Sequence, residues 1–156
     1  MSSSTGVHYI YSPSTWCQYP FYGSAINDKG QVVGYSAFLP DAYQWGVLWT
    51  ATGGMSIFGS SWTNTFANGI TNAGQIVGEN GTGSLGYATY WKNDVATQLE
   101  DLSELPSAAN GANDVGQIVG WSYANAGSAN YVHATIWNQS GILGPSQVTL
   151  SVQLLR

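Results

Sequence analysis

A chain of 156 residues is long enough for one well-buried domain and too short for two comfortable ones. Only 7% of its residues are charged and 44% are hydrophobic, with Gly, Asn, Ser, Thr, Trp and Tyr abundant. That is the balance of a neutral, turn-rich β protein rather than a disordered one. The three basic residues, Lys29, Lys92 and Arg156, cannot neutralise a run of phosphates, which makes nucleic acid and anionic membrane surfaces poor candidates as partners.

The opening MSSSTGVHYIYS lacks the basic region and apolar core of a signal peptide. No run approaches the roughly 18 apolar residues of a membrane span, so a soluble chain without membrane insertion is expected. Residues 6–12, GVHYIYS, predict an extra strand, because they match a strand-forming stretch farther along, GMSIFGS. Cys17 is alone and leaves the redox compartment open.

One string then occurs three times: INDKGQVVGYS from Ile26, ITNAGQIVGEN from Ile70 and ANDVGQIVGWS from Ala112. The glycines before each Gln are Gly30, Gly74 and Gly116, spaced by 44 and 42 residues. A period in the forties marks repeated supersecondary units packed on one another. The expected units are residues 24–68, 69–110 and 111–156, all within a single domain spanning 1–156.

Each unit reads as four strands. The first ends at Ile26, Ile70 or Ala112, and a turn NDKG, TNAG or NDVG follows, with Asn or Asp able to bond its own backbone and Gly free to take positive φ. The second strand carries Val33, Val77 or Val119 beside another Val or Ile, which suits a strand covered on both faces. The third ends in Trp49, Trp91 or Trp137, which recur at one place and are read as core. The fourth is MSIFG over 55–59 and VATQL over 95–99. Only EDLSELPS near Glu100 suggests a helical turn, and the closing QVTLSVQLL alternates like a strand but matches the other fourth strands poorly, so a spare strand is expected at each end.

The spaced pattern resembles the HAF family of bacterial extracellular repeats. The residues that carry it are Ile26, Asn27 and Gly30 to Gly34, then Ile70, Asn72 and Gly74 to Gly78, then Asn113, Gly116 to Gly120 and the HATIW of His133 to Trp137. Trp45 and Tyr87 stand where the family has His. The resemblance implies propeller-like repeats, extracellular or cell-surface placement and no defined enzymatic activity.

The expected fold is therefore all-β, with three four-stranded repeats of about 43 residues forming propeller-like blades. Three blades do not close a ring readily, so completion by oligomerisation, as a homodimer of six blades, is expected. The three-fold β-trefoil and β-prism are alternatives that close within one chain.

Catalytic signals are thin. The two histidines, His8 and His133, come without a G-x-S-x-G, so no enzyme and no cofactor is expected. Gly81, Gly83 and Gly86 spell G-x-G-x-x-G, but a β-like run follows where a dinucleotide site needs a helix, and the string reads as a flexible loop. Asp28 and Asp114 offer one carboxylate per turn, far short of the six to eight oxygens calcium takes, so Asx-turn structure explains them better than a metal site.

The remaining signal is aromatic. Tyr35, Tyr43, Trp45, Tyr87, Trp121, Tyr123 and Tyr131 lie in or beside the loops between second and third strands, among Asp41, Gln44, Asn80, Asn125 and Asn130. Rings beside amides and carboxylates suit a neutral sugar, whose C–H face stacks while its hydroxyls take hydrogen bonds. The expected ligand-binding residues are Tyr35, Asp41, Tyr43, Trp45, Tyr87, Trp121, Tyr123, Tyr131 and His133. The expected function is a non-enzymatic, lectin-like module for glycans or cell-surface polysaccharide, multivalent by repetition. The alternative is a structural or adhesive repeat without a small-molecule site.

Overall fold

The structure, a computed structural model, describes residues 10, 20–38, 43–59, 63–83, 85–101, 104–126, 129–139 and 148–150. These form strands and turns only: β1 (Phe21–Ile26), β2 (Val32–Phe38), β3 (Tyr43–Thr50), β4 (Gly54–Phe58), β5 (Asn64–Ile70), β6 (Ile76–Thr82), β7 (Leu85–Lys92), β8 (Val95–Gln98), β9 (Ser107–Ala112), β10 (Gln117–Ala126), β11 (Ala129–Gln139) and β12 (Val148–Leu150). They make three antiparallel sheets in simple meander order, β1 to β4, β5 to β8 and β9 to β12. Among the described residues no helix is long and apolar enough to cross a membrane.

Each sheet starts from the repeated turn, and the turn's chemistry dictates its shape. In the first, the Gly30 N–H donates to Asn27 O at 3.0 Å and the Asn27 N–H to Gln31 O at 3.1 Å. Asn27 Oδ1 accepts from the Lys29 and Gln31 N–H groups, a turn held by its own side chain. Gly30 sits at φ +71°, a conformation open to glycine at little cost. The turns at Thr71 and Asn113 repeat both backbone bonds, with Gly74 at +81° and Gly116 at +84°.

Beyond the turn, every first strand bulges. Ser24, Asn68 and Asn110 are the skipped residues, because Gly23, Ala67 and Ala109 pair with Gly34, Gly78 and Gly120 while Ala25, Gly69 and Gly111 pair with Val33, Val77 and Val119. The strand bends at such an extra residue. Its carbonyl is thereby pressed onto the glycine opposite: a Cβ at Gly34 would lie 1.8 Å from Tyr22 O, at Gly78 1.8 Å from Phe66 O and at Gly120 2.0 Å from Ala108 O. The final Gly of the repeated QVVG or QIVG is fixed by this contact.

The bend lets each sheet's first strand lie across the middle of the sheet before it. β5 packs on β1, β2 and β3, and β9 packs on β5, β6 and β7. Two cores result. One joins Val33 of the first sheet to Ala67, Ile70, Ile76 and Trp91 of the second, with Phe58 edge-on to Trp91 at 5.3 Å. The other joins Val77, Ala88 and Leu99 to Ala109, Ile118 and Trp137 of the third. Trp137 also donates from Nε1 to Glu100 O at 2.6 Å.

Several expectations change. The unit cuts at 68/69 and 110/111 fall inside β5 and β9, since the period was read from the turn and the strand before it was split. Val148–Leu150 of the closing run form β12, a fourth strand paired with β11 in the register Trp137 to Leu150, rather than a spare one. The expected extra strand over 6–12 lies, but for residue 10, outside the described residues. Val119 is half exposed where Val33 and Val77 are fully buried, so the third copy of the second strand is covered on one face only. The G-x-G-x-x-G is a tight hairpin between Thr82 and Leu85 with Gly83 at φ +62°, not a loose loop. Near Glu100 the chain bends where Glu104 N–H donates to Asp101 Oδ1, and no helical turn is described there.

A substitution pair tests the bulge. Gly78→Ala drives a methyl into Phe66 O and is expected to cost about 3 kcal/mol or more. Gly23→Ala, at a place Ala67 and Ala109 already fill, is expected to stay within about 0.5 kcal/mol. Urea unfolding of both variants reads the difference.

Candidate functional site

The two ends of each sheet differ in chemistry. At the turn end the three turns meet around a shallow cavity of about 250 Å³, lined by Ile26 to Asp28, Ile70 to Asn72 and Ala112 to Asp114. Hydrogen bonds run from each turn to the next. The Asp28 N–H donates to Asn72 Oδ1 at 2.9 Å, and the Asn72 N–H donates to Asp114 Oδ1 at 2.7 Å. Asn72 Nδ2 then donates to Asp28 Oδ2 at 2.7 Å and to Asp114 Oδ2 at 2.8 Å. Asn27 Nδ2 adds a bond to Thr71 O at 2.9 Å, and Asn68 Nδ2 reaches Ala109 O at 3.0 Å.

This assigns the turn residues differently from the sequence reading. The first residue of the turn, Asn27 or Asn113, bonds its own backbone, while the second, Asp28, Asn72 or Asp114, serves its neighbours. One amide between two carboxylates braces all three sheets. Among the described residues no group of three or more His, Cys, Asp or Glu is placed to hold a metal ion. The signal was present in the sequence as Asx at one fixed place before every repeated Gly, but only the convergence of the turns gives it meaning.

At the opposite end lie the expected ligand-binding residues, on three separate hairpins. Tyr35, Tyr43 and Trp45 belong to the β2–β3 hairpin, Tyr87 to β7, and Trp121, Tyr123, Tyr131 and His133 to the β10–β11 hairpin. Asp41 lies outside the described residues. None of the described eight lines the cavity at the turn end. Tyr131 is 54% exposed, and Tyr43, Trp45, Tyr87, Trp121, Tyr123 and His133 are half-buried.

Tyr35 is committed to packing. It stacks on Tyr22 at 5.0 Å and meets Phe66 of the next sheet edge-on at 5.1 Å. Trp121 and Tyr123 form an edge-on pair at 5.6 Å. Asn64 ties this end together, its Oδ1 accepting from the Gln44 N–H at 2.9 Å and its Nδ2 donating to Gly83 O at 3.0 Å. Gln44 Oε1 is a buried acceptor with no hydrogen-bond partner among the described residues.

Glu79 is not among the expected ligand-binding residues, although it stands where the three repeated strings stop agreeing. It occupies in β6 the place Tyr35 holds in β2 and Trp121 in β10, each paired with a third-strand residue: Ala88, Gly46 and Ala134. Its carboxylate covers Gly86, where a Cβ would lie 1.8 Å from Oε1. Burial pushes its carboxyl above the ordinary value of 4.5, because desolvation disfavours the charged form.

Comparison with protein families, with curated proteins and with solved structures finds no match to this chain.

The Glu79 environment predicts a pH dependence. The folded chain holds this proton more tightly than the unfolded chain, so the group's contribution is fully present below the unfolded value of 4.5 and is lost as pH rises through the higher folded value. Glu79→Gln removes the cost of burying the charge. It is expected to raise Tm at pH 7 and to show no advantage at pH 4, as read by thermal unfolding across that range. At the other end, Asn72→Asp removes both amide donations and brings three carboxylates together. A loss of ~1–2 kcal/mol is expected, shrinking with added salt, by denaturant titration at two ionic strengths.

Proposed function

We propose that the chain is a non-enzymatic, lectin-like module that binds neutral carbohydrate through the hairpin ends opposite the Asx turns. The observation that carries this reading is the recurrence of accessible aromatic rings at that end in all three sheets: Tyr43 and Trp45, then Tyr87, then Trp121, Tyr123 and Tyr131. A ring face stacks on a sugar's C–H surface without any charge, and the chain has few charges to offer. Three weak sites in one chain gain strength on a polyvalent glycan surface by effective concentration.

The same reading takes the three meander sheets as propeller-like blades. Stacking of each sheet's first strand on the preceding sheet supports blades over a trefoil or prism. It also takes the chain as a HAF-type repeat protein acting outside the cell or at its surface, on the repeated residues named above. A structural or adhesive repeat is the second reading, favoured by Tyr35, whose ring is already held between Tyr22 and Phe66.

A glycan array followed by calorimetry tests the binding reading. Tyr131→Ala and Tyr87→Ala are each expected to weaken sugar binding about tenfold, with Tm unchanged for the exposed Tyr131. No binding to any neutral sugar sinks the lectin reading and leaves the structural one.

A further inference from the structure

We infer that two copies of the chain dock head to tail, the outer face of the third sheet of one copy against the outer face of the first sheet of the other, at two identical junctions. The chain already contains this interface twice. Between the first and second sheets, and between the second and third, one face presents Val33 or Val77, both fully buried, and the other presents Ile70 and Trp91 or Ala112 and Trp137. The next surface in that series is the β10 and β11 face, where Val119 is 50% exposed and Ala134, at the place of buried Ala88, is exposed. The surface before the first is the β1 face, where Ile26 is 68% exposed against 9% for Ile70.

These two open faces are complementary by repetition. Each is apolar at the positions that its counterparts bury inside the chain, and burying such positions is the main drive to association. A second copy of this chain is therefore the occupant that fits, since no other surface is shown to match either face.

The polar series continues in the same sense. Asp28 N–H binds the second turn and Asn72 N–H binds the third, so the Asp114 N–H is the next donor and Asp28 Oδ1 of the second copy its acceptor. By the same step Asn113 Nδ2 follows Asn27 Nδ2, reaching Asn27 O of the second copy, and Asn110 follows Asn68, reaching Gly23 O. One difference stands out at the junction. Asn72 Nδ2 lies between the carboxylates inside the chain, whereas Asp114 would face Asp28 of the second copy with no amide between them.

A head-to-tail contact polymerises unless its rotation closes. Three sheets per copy close at six, within the four to eight that propellers hold, and this number rests on the blade reading proposed above. The junction itself rests on packing inside the chain, so it stands or falls independently of sugar binding.

Sedimentation equilibrium of the full chain tests it. The expected mass is twice the 16.6 kDa of one chain. Val119→Lys and Ile26→Lys, both at exposed positions and so compatible with the folded sheets, are each expected to weaken the dimer about a hundredfold, with circular dichroism and Tm retained. Asp28→Asn places an amide at the junction as Asn72 does within the chain, and is expected to tighten it about fivefold. A monomer at millimolar concentration, an open-ended polymer, a dimer broken by Val119→Lys but indifferent to Ile26→Lys, or an Asp28→Asn variant no tighter than its parent would overturn the inference.

Discussion

The hydrogen bond from one turn's backbone to the next turn's Asx side chain is the constraint on which the rest depends. Each turn satisfies its own ends through Asn27, Thr71 or Asn113 and leaves the following peptide N–H pointing sideways. Asn72 and Asp114 accept those donors and thereby set how far apart the sheets begin. A shorter or apolar residue at that place leaves the donor without a partner near the cavity, and a longer one cannot return to the same N–H. Spacing fixed there decides which strand residues meet farther along, so Val33 finds Ala67 and Val77 finds Ala109.

The glycines opposite the bulges make that close packing attainable. With Cα alone at Gly34, Gly78 and Gly120, the preceding strand's carbonyl comes within a distance no side chain tolerates, and the strand bends toward its neighbour sheet. Small residues at Ala67 and Ala109 then let the backbones approach, while Trp91 and Trp137 fill the wider part of the gap. The cross-strand pair beside each bulge differs from unit to unit: Tyr22 with Tyr35, Phe66 with Glu79, Ala108 with Trp121. The copies diverge at the place where one sheet's surface is read by the next.

Much of this was legible in the sequence, and the limits are physical. The turns, the second and third strands and the role of Trp91 and Trp137 follow from period, Asx-Gly chemistry and alternation, all of which are local. The unit boundaries were shifted because the bulge inserts Ser24, Asn68 or Asn110 into β1, β5 or β9 and breaks the two-residue alternation that marks a strand. Val119 looks the same as Val33 in the sequence, yet its burial depends on whether a further sheet follows. The bonding of Asp28 to Asn72 joins residues 44 apart, which no local pattern reveals. Glu79 gave no signal beyond being the odd member of a set otherwise aromatic.

The division between the two ends of the sheets explains how such a chain can vary without losing its fold. β2 runs from Val32 at the turn to Phe38 at the hairpin, about 20 Å at the rise of an extended strand. Everything that is shared, the Asx residue that bridges the turns, the positive-φ glycine and the bulge, lies in the turn or in β1 beside the turn end of that run. Tyr43, Tyr87 and Tyr131 lie at the far end, where neither the turn-to-turn bonds nor the bulge contact reaches. Substitution there leaves the spacing of the sheets untouched, because the spacing is set before the chain arrives. The three hairpin ends are thus free to differ in ring size and polarity on one common frame.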